Sequence, residues 1–233
     1  MTPALLQQAQ YWPQATTKDW LKAASTFTMP DAGADVWLCP LKDAATFSSL
    51  LTADETVRAQ NFLPASKAQE FTAARAWLRT LLAFYVAETE PQAIRLGLAE
   101  NGKPYLPDFP AVHFNLSHSG EFAAIAISRQ PVGVDIEQLR PLPDWRELAE
   151  GLLPNITIEQ IGSLEQAERA AAFLRHFTAR EAYLKAVGGG FSESTTMLER
   201  DFHFIAMENQ SYGPTVSLPE IPGYVGELCV LHP

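Results

Sequence analysis

Residues 132–137 read Val-Gly-Val-Asp-Ile-Glu, and residues 177–185 read Phe-Thr-Ala-Arg-Glu-Ala-Tyr-Leu-Lys. The first stretch alternates apolar and acidic side chains, as a strand does when one face meets a core. Val134 and Ile136 then point inward, and Asp135 and Glu137 share the other face. The second stretch is the end of a helix that begins near residue 165, with Glu181 and Lys185 one turn apart on one side. Gly188-Gly189-Gly190 ends that helix, because glycine accepts the left-handed backbone of a helix C-terminus. Three carboxylates with a cation nearby suit a magnesium site that handles a phosphate ester. Each piece also has a plain reading. Asp-x-Glu can be a solvated strand face, although like charges side by side repel. Glu181 and Lys185 can be a surface pair worth roughly 0.3–0.5 kcal/mol.

The same plan appears upstream. Val36–Cys39 reads as a first strand, closed by Pro40. Thr52-Ala-Asp-Glu55 is a capping box that opens a short helix. A long helix follows from Pro64 to about Val86, with Phe71, Ala74, Leu78, Leu81, Leu82 and Tyr85 at helical spacing. Asn101-Gly102 marks a tight turn. The pattern predicts strands over 112–116, 122–127 and 132–137, a helix near 145–150, and closing strands near 202–206, 213–217 and 224–231. Strand, helices and strands thus occur twice. The expected fold is α+β, with two similar subdomains, 1–130 and 131–233, each an antiparallel sheet packed on a long helix. A ligand is expected in the cleft between them. Residues 1–33, interrupted by Pro3, Pro13 and Pro30, receive no element and no function.

Bulk properties narrow the function. The chain has 233 residues, 47% of them hydrophobic, enough for one large core or two small ones. A formal charge of −10 disfavours nucleic acid as a partner and argues against an anionic membrane surface. The chain contains no apolar run of about 18 residues, so no membrane span is expected. The start, Met-Thr-Pro-Ala-Leu-Leu-Gln-Gln, lacks the basic region and apolar core of a signal peptide. Cys39 and Cys229 form neither a disulfide framework nor a zinc spacing, which suits a reducing cytoplasm.

Two further clusters carry polar chemistry. Phe114-Asn-Leu-Ser-His-Ser-Gly120 ends a strand in hydroxyls and an imidazole. These are good donors to a phosphate or ribose, or they form a polar turn. A serine nucleophile is disfavoured, because neighbouring Ser117 and His118 point apart and no Gly-x-Ser-x-Gly elbow surrounds Ser117. Asn101-Gly-Lys-Pro-Tyr105 is either a hairpin with an exposed lysine or a loop, stiffened by Pro104, that presents Lys103 to a phosphate. Arg58, Arg75 and Arg79 are further candidate phosphate contacts or ordinary surface cover.

Asn101-Gly-Lys-Pro-Tyr, Phe114-Asn-Leu-Ser-His-Ser, Val132-Gly-Val-Asp-Ile-Glu and Phe177-Thr-Ala-Arg-Glu-Ala-Tyr-Leu-Lys occur in this order at suitable spacing. The set resembles the 4′-phosphopantetheinyl transferases, and the chain length is similar to the Sfp-type branch of single-chain pseudodimers. The resemblance covers roughly residues 36–231. It implies an enzyme that moves the phosphopantetheine arm of coenzyme A onto a serine of an apo carrier protein, releasing adenosine 3′,5′-bisphosphate. It implies Asp135, Glu137 and Glu181 as ligands of Mg2+ bridging the coenzyme A pyrophosphate. The resemblance also implies that Glu181 takes the serine proton, directly or through water, and that Lys185 steadies the pyrophosphate. By the same resemblance Lys103, Ser117 and His118 match residues that bind the nucleotide end and its 3′-phosphate, with Arg58 and Arg75 as basic positions of that pocket. The partners implied are coenzyme A and a carrier protein or carrier domain, met by a cytoplasmic monomer. The carrier is expected on the second lobe near Gly188–Gly190 and Phe191.

The chain departs from the family pattern in places. Glu55 and Glu70 stand where basic phosphate ligands are expected. Phe177 stands where Trp is frequent, and Arg180 where Lys is frequent. The first 33 residues exceed the usual start. Two rival functions are another magnesium-dependent phosphoester enzyme and a non-catalytic module that binds coenzyme A or carriers. Intact Asp135, Glu137, Glu181 and Lys185 argue against the second.

Overall fold

A computed structural model describes residues 6–11, 28–42, 44–87, 90–188 and 215–231. In the first part, β1 (Leu6–Tyr11) and β2 (Ala34–Pro40) precede a 3-10 segment (Ala44–Leu50), α1 (Ala53–Gln60) and α2 (Ala65–Tyr85). A 3-10 turn (Pro91–Ala93), β3 (Gly97–Leu98), β4 (Pro104–Tyr105), β5 (His113–Ser119) and β6 (Phe122–Ser128) follow. The second part holds β7 (Val132–Gln138), α3 (Trp145–Ala149), α4 (Asn155–Gly162), α5 (Gln166–Val187), β8 (Thr215–Ser217) and β9 (Tyr224–Val230).

One sheet has the order β1-β2-β6-β5 and another β7-β9-β8, with β3 and β4 pairing by themselves. Period-two alternation decides what each face meets. Trp37, Cys39, Phe114, Ile125 and Ile127 share a core with Trp77, Leu78, Leu81 and Leu82 of α2. On the other face, Val36, Leu38, Ala124 and Ala126 pack on Val132, Val134, Ile136, Leu228 and Val230 of the second sheet. Cys229, on the far side of that second sheet, packs with Ala182, Tyr183, Leu184 and Ala186 of α5. The result is four layers in the order α2, first sheet, second sheet, α5. The alternation in 132–137 therefore leaves Asp135 and Glu137 on the face turned toward α5.

Local signals set the helix ends. Glu55 N–H donates to Thr52 Oγ1 at 3.4 Å, and Thr52 N–H donates to Glu55 Oε2 at 3.0 Å, so the capping box of α1 is present. α5 ends at Gly188 with φ 81°, where a side chain would be strained. Gly133 answers a different need. A Cβ there would lie 2.0 Å from the Ala182 carbonyl and 2.4 Å from the Ala186 nitrogen. Glycine lets the backbone of α5 cross β7 at contact distance.

The expected α+β class holds, and most expected elements fall within a few residues of their observed bounds. Three features differ. β1 lies in a stretch read as having no element, and it pairs parallel to β2, from Leu6 opposite Ala34 to Tyr11 opposite Leu38. The first sheet is therefore mixed rather than purely antiparallel. The segment Leu-Gln-Gln-Ala-Gln-Tyr has no clean alternation, as suits an edge strand whose pairing comes from the main chain. The 3-10 segment and α4 also went unread. The strand expected near 202–206, and Gly189, Gly190 and Phe191 of the expected carrier surface, lie outside the described residues. Among the described residues, no helix is long and apolar enough to cross a membrane.

Candidate active site

β5 and β7 run alongside each other without a main-chain ladder, and side chains fill the gap. Alternation puts Asn115, Ser117 and Ser119 on one face of β5, in step with β7. Asn115 Oδ1 accepts from the Val134 N–H at 2.9 Å. Ser117 Oγ donates to Asp135 Oδ1 at 2.6 Å. Ser119 Oγ donates to Glu137 Oε2 at 2.8 Å and accepts from the Gln138 N–H at 3.1 Å. This polar seam fixes both β7 carboxylates.

Each of the three acidic residues meets a different cation. Lys185 Nζ lies 2.6 Å from Asp135 Oδ1 and also donates to Ser117 Oγ at 3.1 Å. Arg140 Nη1 lies 3.1 Å from Glu137 Oε2. Arg180 Nη1 lies 2.9 Å from Glu181 Oε1. The pairing is incomplete at Asp135, which is 4% exposed. Its Oδ2 is buried and has no hydrogen-bond partner among the described residues. Burial pushes the Asp135 carboxyl above the ordinary range, against the Lys185 ammonium and the hydrogen bonds from Lys185 and Ser117. Burial also raises Glu181; Arg180 opposes the rise, and the nearby Asp135 charge adds to it.

Among the described residues no three acidic, histidine or cysteine side chains already stand as a metal-ligating group. The donor set nevertheless fits magnesium. It offers carboxylate oxygens, the hard ligands that ion takes, and one of them is a buried oxygen with nothing bonded to it. Asp135 and Glu137 share one face of β7, and Glu181 stands one turn before Lys185, which bonds Asp135.

A second group of polar residues lies on α1, α2 and the end of β5. The Arg58 and Arg75 guanidinium carbons lie 5.3 and 5.5 Å from the Phe71 ring centre. Lys67 Nζ lies 2.7 Å from Glu70 Oε2, and His118 Nδ1 lies 3.8 Å from the same oxygen. Burial lowers the His118 pKa, with Glu70 opposing and Lys67 and Lys185 assisting. His118 thus lies within electrostatic reach of both groups. Ser117, Lys185, Asp135, Glu137 and Glu181 come together around α5. Arg58 and Arg75 stand in the other group.

Family models now find the chain. One for the 4′-phosphopantetheinyl transferase superfamily matches residues 131–220, and one for the N-terminal region of 4′-phosphopantetheinyl transferase matches residues 36–130. The 4′-phosphopantetheinyl transferase HetI of Nostoc sp. is 32% identical over 182 residues, which is 75% of this chain and 76% of that protein. This chain belongs to the 4′-phosphopantetheinyl transferase superfamily. The transferase is also 30% identical to the 4′-phosphopantetheinyl transferase Sfp of Bacillus subtilis over 146 residues, 60% of this chain and 64% of that protein. It is an enzyme, and neither a binding module nor a different phosphoester enzyme is favoured.

Two basic residues of the transferase make their bonds within the fold. Lys103 reaches the end of α5. Its Nζ donates to the carbonyls of Lys185 at 2.5 Å, Ala186 at 3.0 Å and Val132 at 3.2 Å. Burial lowers its pKa to about 8, with Cys229 opposing. Arg79 is no free phosphate contact. It is 3% exposed, forks onto Glu55 at 2.7 and 3.0 Å, and donates to the carbonyls of Pro91 and Ile94 at 3.0 and 2.8 Å. Glu55 therefore has a structural reason to be acidic. Ser119, read as one of the hydroxyls at a strand end, instead bonds Glu137, while Asn115, Arg140 and Gly133 are not singled out by the sequence as parts of the site. A glycine inside an otherwise continuous strand was the available signal for Gly133.

Proposed function

We propose that this transferase moves the 4′-phosphopantetheine arm of coenzyme A onto a serine of an apo acyl or peptidyl carrier protein. The reaction releases adenosine 3′,5′-bisphosphate and takes place between the units 1–130 and 131–233. The observation that supports this best is Asp135 Oδ2, a buried carboxylate oxygen with no hydrogen-bond partner among the described residues, on the β7 face that also carries Glu137.

Asp135, Glu137 and Glu181 would hold Mg2+, which when bound screens the pyrophosphate charge and stabilises the departing bisphosphate. The chain's own groups divide the remaining work. Lys185 donates to a pyrophosphate oxygen from its position over Asp135. Ser117 orients Asp135 and faces the same oxygens. His118, Arg58 and Arg75 line the approach of the nucleotide end and its 3′-phosphate. Glu181 accepts the proton of the attacking serine, a role its carboxylate can fill from its place one turn before Lys185 on α5. The serine oxygen bonds to the phosphorus that carries the pantetheine arm. The bond from that phosphorus to the bridging oxygen breaks, and the electron pair leaves with adenosine 3′,5′-bisphosphate. The transferase acts as a monomer in a reducing cytoplasm, which accords with two free, buried thiols, Cys39 and Cys229.

Intact mass of several apo carriers after incubation with coenzyme A and magnesium tests the proposal. The carrier gains the arm, and one bisphosphate appears per carrier modified. Bisphosphate release that proceeds equally without a carrier would point to hydrolysis instead.

A further inference from the structure

The C-terminal turn of α5 carries an unusual load. Lys185 belongs to the site, yet the last four carbonyls of any helix lack helical partners. Here the partners come from the first part of the chain. Lys103 Nζ donates to the Lys185 and Ala186 carbonyls, and the Asn101 side-chain amide donates to the Gly188 carbonyl. The same ammonium donates to Val132 O on β7, the residue before Gly133. Lys103 N–H donates in turn to Asn101 Oδ1 at 3.0 Å, which makes the hairpin turn one rigid unit. A cation at this end also complements the helix dipole.

These bonds fall where α5 crosses β7. Gly133 has no side chain to key into the helix, so close approach alone does not fix the register along the strand. One ammonium bonded to carbonyls on both elements does. Lys185 is thereby anchored at both ends, its carbonyl by Lys103 and its ammonium by Asp135 and Ser117. The bonds from the turn to α5 span 82, 83 and 87 positions of sequence and join the first part of the chain to the second.

We infer that the Asn101–Lys103 turn is a clamp on α5, and that Lys103 is a positioning residue that sets where Lys185 and Glu181 stand over Asp135. This inference rests on the transferase reading of the site. It assigns the Lys103 ammonium to the helix rather than to a phosphate of coenzyme A.

Lys103→Met keeps the stem and removes the donor. The expected result is a kcat lowered roughly 10–100-fold, as for loss of a group that orients the reacting residues. The calorimetric Kd of coenzyme A changes far less, and dephospho-coenzyme A follows the same pattern. A loss confined to Kd, larger for coenzyme A than for dephospho-coenzyme A, would overturn the clamp in favour of a phosphate contact. Hydrogen exchange reads the clamp without turnover. In Lys103→Met the amides of Ala186, Val187 and Gly188 exchange at least about tenfold faster, the equivalent of one lost charge-assisted bond. Unchanged exchange there overturns the clamp whether or not any carrier is modified. Should Lys103→Met fail to fold, Asn101→Ala decides the matter, with the same two losses at smaller size expected and wild-type values on both counts contradicting it. Wild-type protein that modifies no carrier counts against the functional reading alone, since the exchange result stands apart from it.

Discussion

Glu55, half-buried, and Asp135, buried, are both carboxylates facing cations, one in each part of the chain. Glu55 is saturated. It accepts two bonds from Arg79 and one from the Thr52 N–H, and Arg75 lies 3.5 Å away. Burial pushes Glu55 up, but the bonds and charges of Arg79, Thr52 and Arg75 outweigh it and hold the carboxyl below its ordinary value. Asp135 has one oxygen shared by Lys185 and Ser117 and the other unbonded among the described residues, and burial leaves it raised. The sequence shows acidic residues in both places. The difference lies in completeness, because a satisfied cluster holds a fold together, whereas an unsatisfied one is poised for a ligand.

The comparison breaks most sharply under substitution of Asp135. Asp135→Ala lowers carrier modification by about 10²–10³-fold or more, as for loss of a principal charge-stabilising group. The thermal midpoint stays close to that of the wild type, because a carboxylate that burial disfavours contributes little to folding. Near-normal turnover at saturating magnesium would sink the metal assignment. Glu181→Gln comes next. It keeps the size of the side chain but cannot accept a proton, so kcat falls by about 10²-fold while calorimetry shows coenzyme A still bound. An affinity loss that accounts for the whole rate loss rules out the base role.

Glu55→Gln sharpens the other side. The amide can still cap α1, but Arg79 keeps a buried charge without its counter-ion, at a cost of about 3 kcal/mol. For a chain of this length that lowers the melting temperature by about 6–12 °C, while turnover at low temperature remains. The pH dependence has a definite sign. Because the folded-state pKa of Glu55 is lowered, its contribution is full above the ordinary glutamate range and is lost as pH falls through the lowered value. Urea midpoints between neutral pH and pH ~3 should therefore fall less steeply in Glu55→Gln than in wild type. Parallel curves would mean that Glu55 is not the stabilising carboxylate described here.

What could be read from sequence followed the range of the interaction. The capping box of α1, the periodic face of α2 and the alternation of β7 are local signals, and each agrees with the structure. β1 was missed because its partner is a parallel strand more than twenty positions away, and its glutamine-rich segment carries no period. Within the site, the shared faces of Asp135 with Glu137 and of Glu181 with Lys185 follow from helix and strand geometry. Their partners do not. Nothing near Lys103 announces Lys185, 82 positions away, and nothing near Glu55 announces Arg79, 24 positions away. The departure from the family pattern at Glu55 therefore looked like a weakness in a phosphate pocket, when it is one half of an ion pair.

The seam between β5 and β7 limits how this chain can be recombined. Asn115, Ser117 and Ser119 supply partners for Val134 N–H, Asp135, Glu137 and Gln138 N–H. A cut near residue 130 would leave the second piece with its acidic residues but without the hydroxyls that aim two of them. Neither piece is a portable module. A chimera that takes its first half from one relative and its second from another inherits a working centre only when the two strands are exchanged together. Descent would therefore hold Asn115, Ser117 and Ser119 to the same partners as Asp135 and Glu137, although they sit on the other side of the junction.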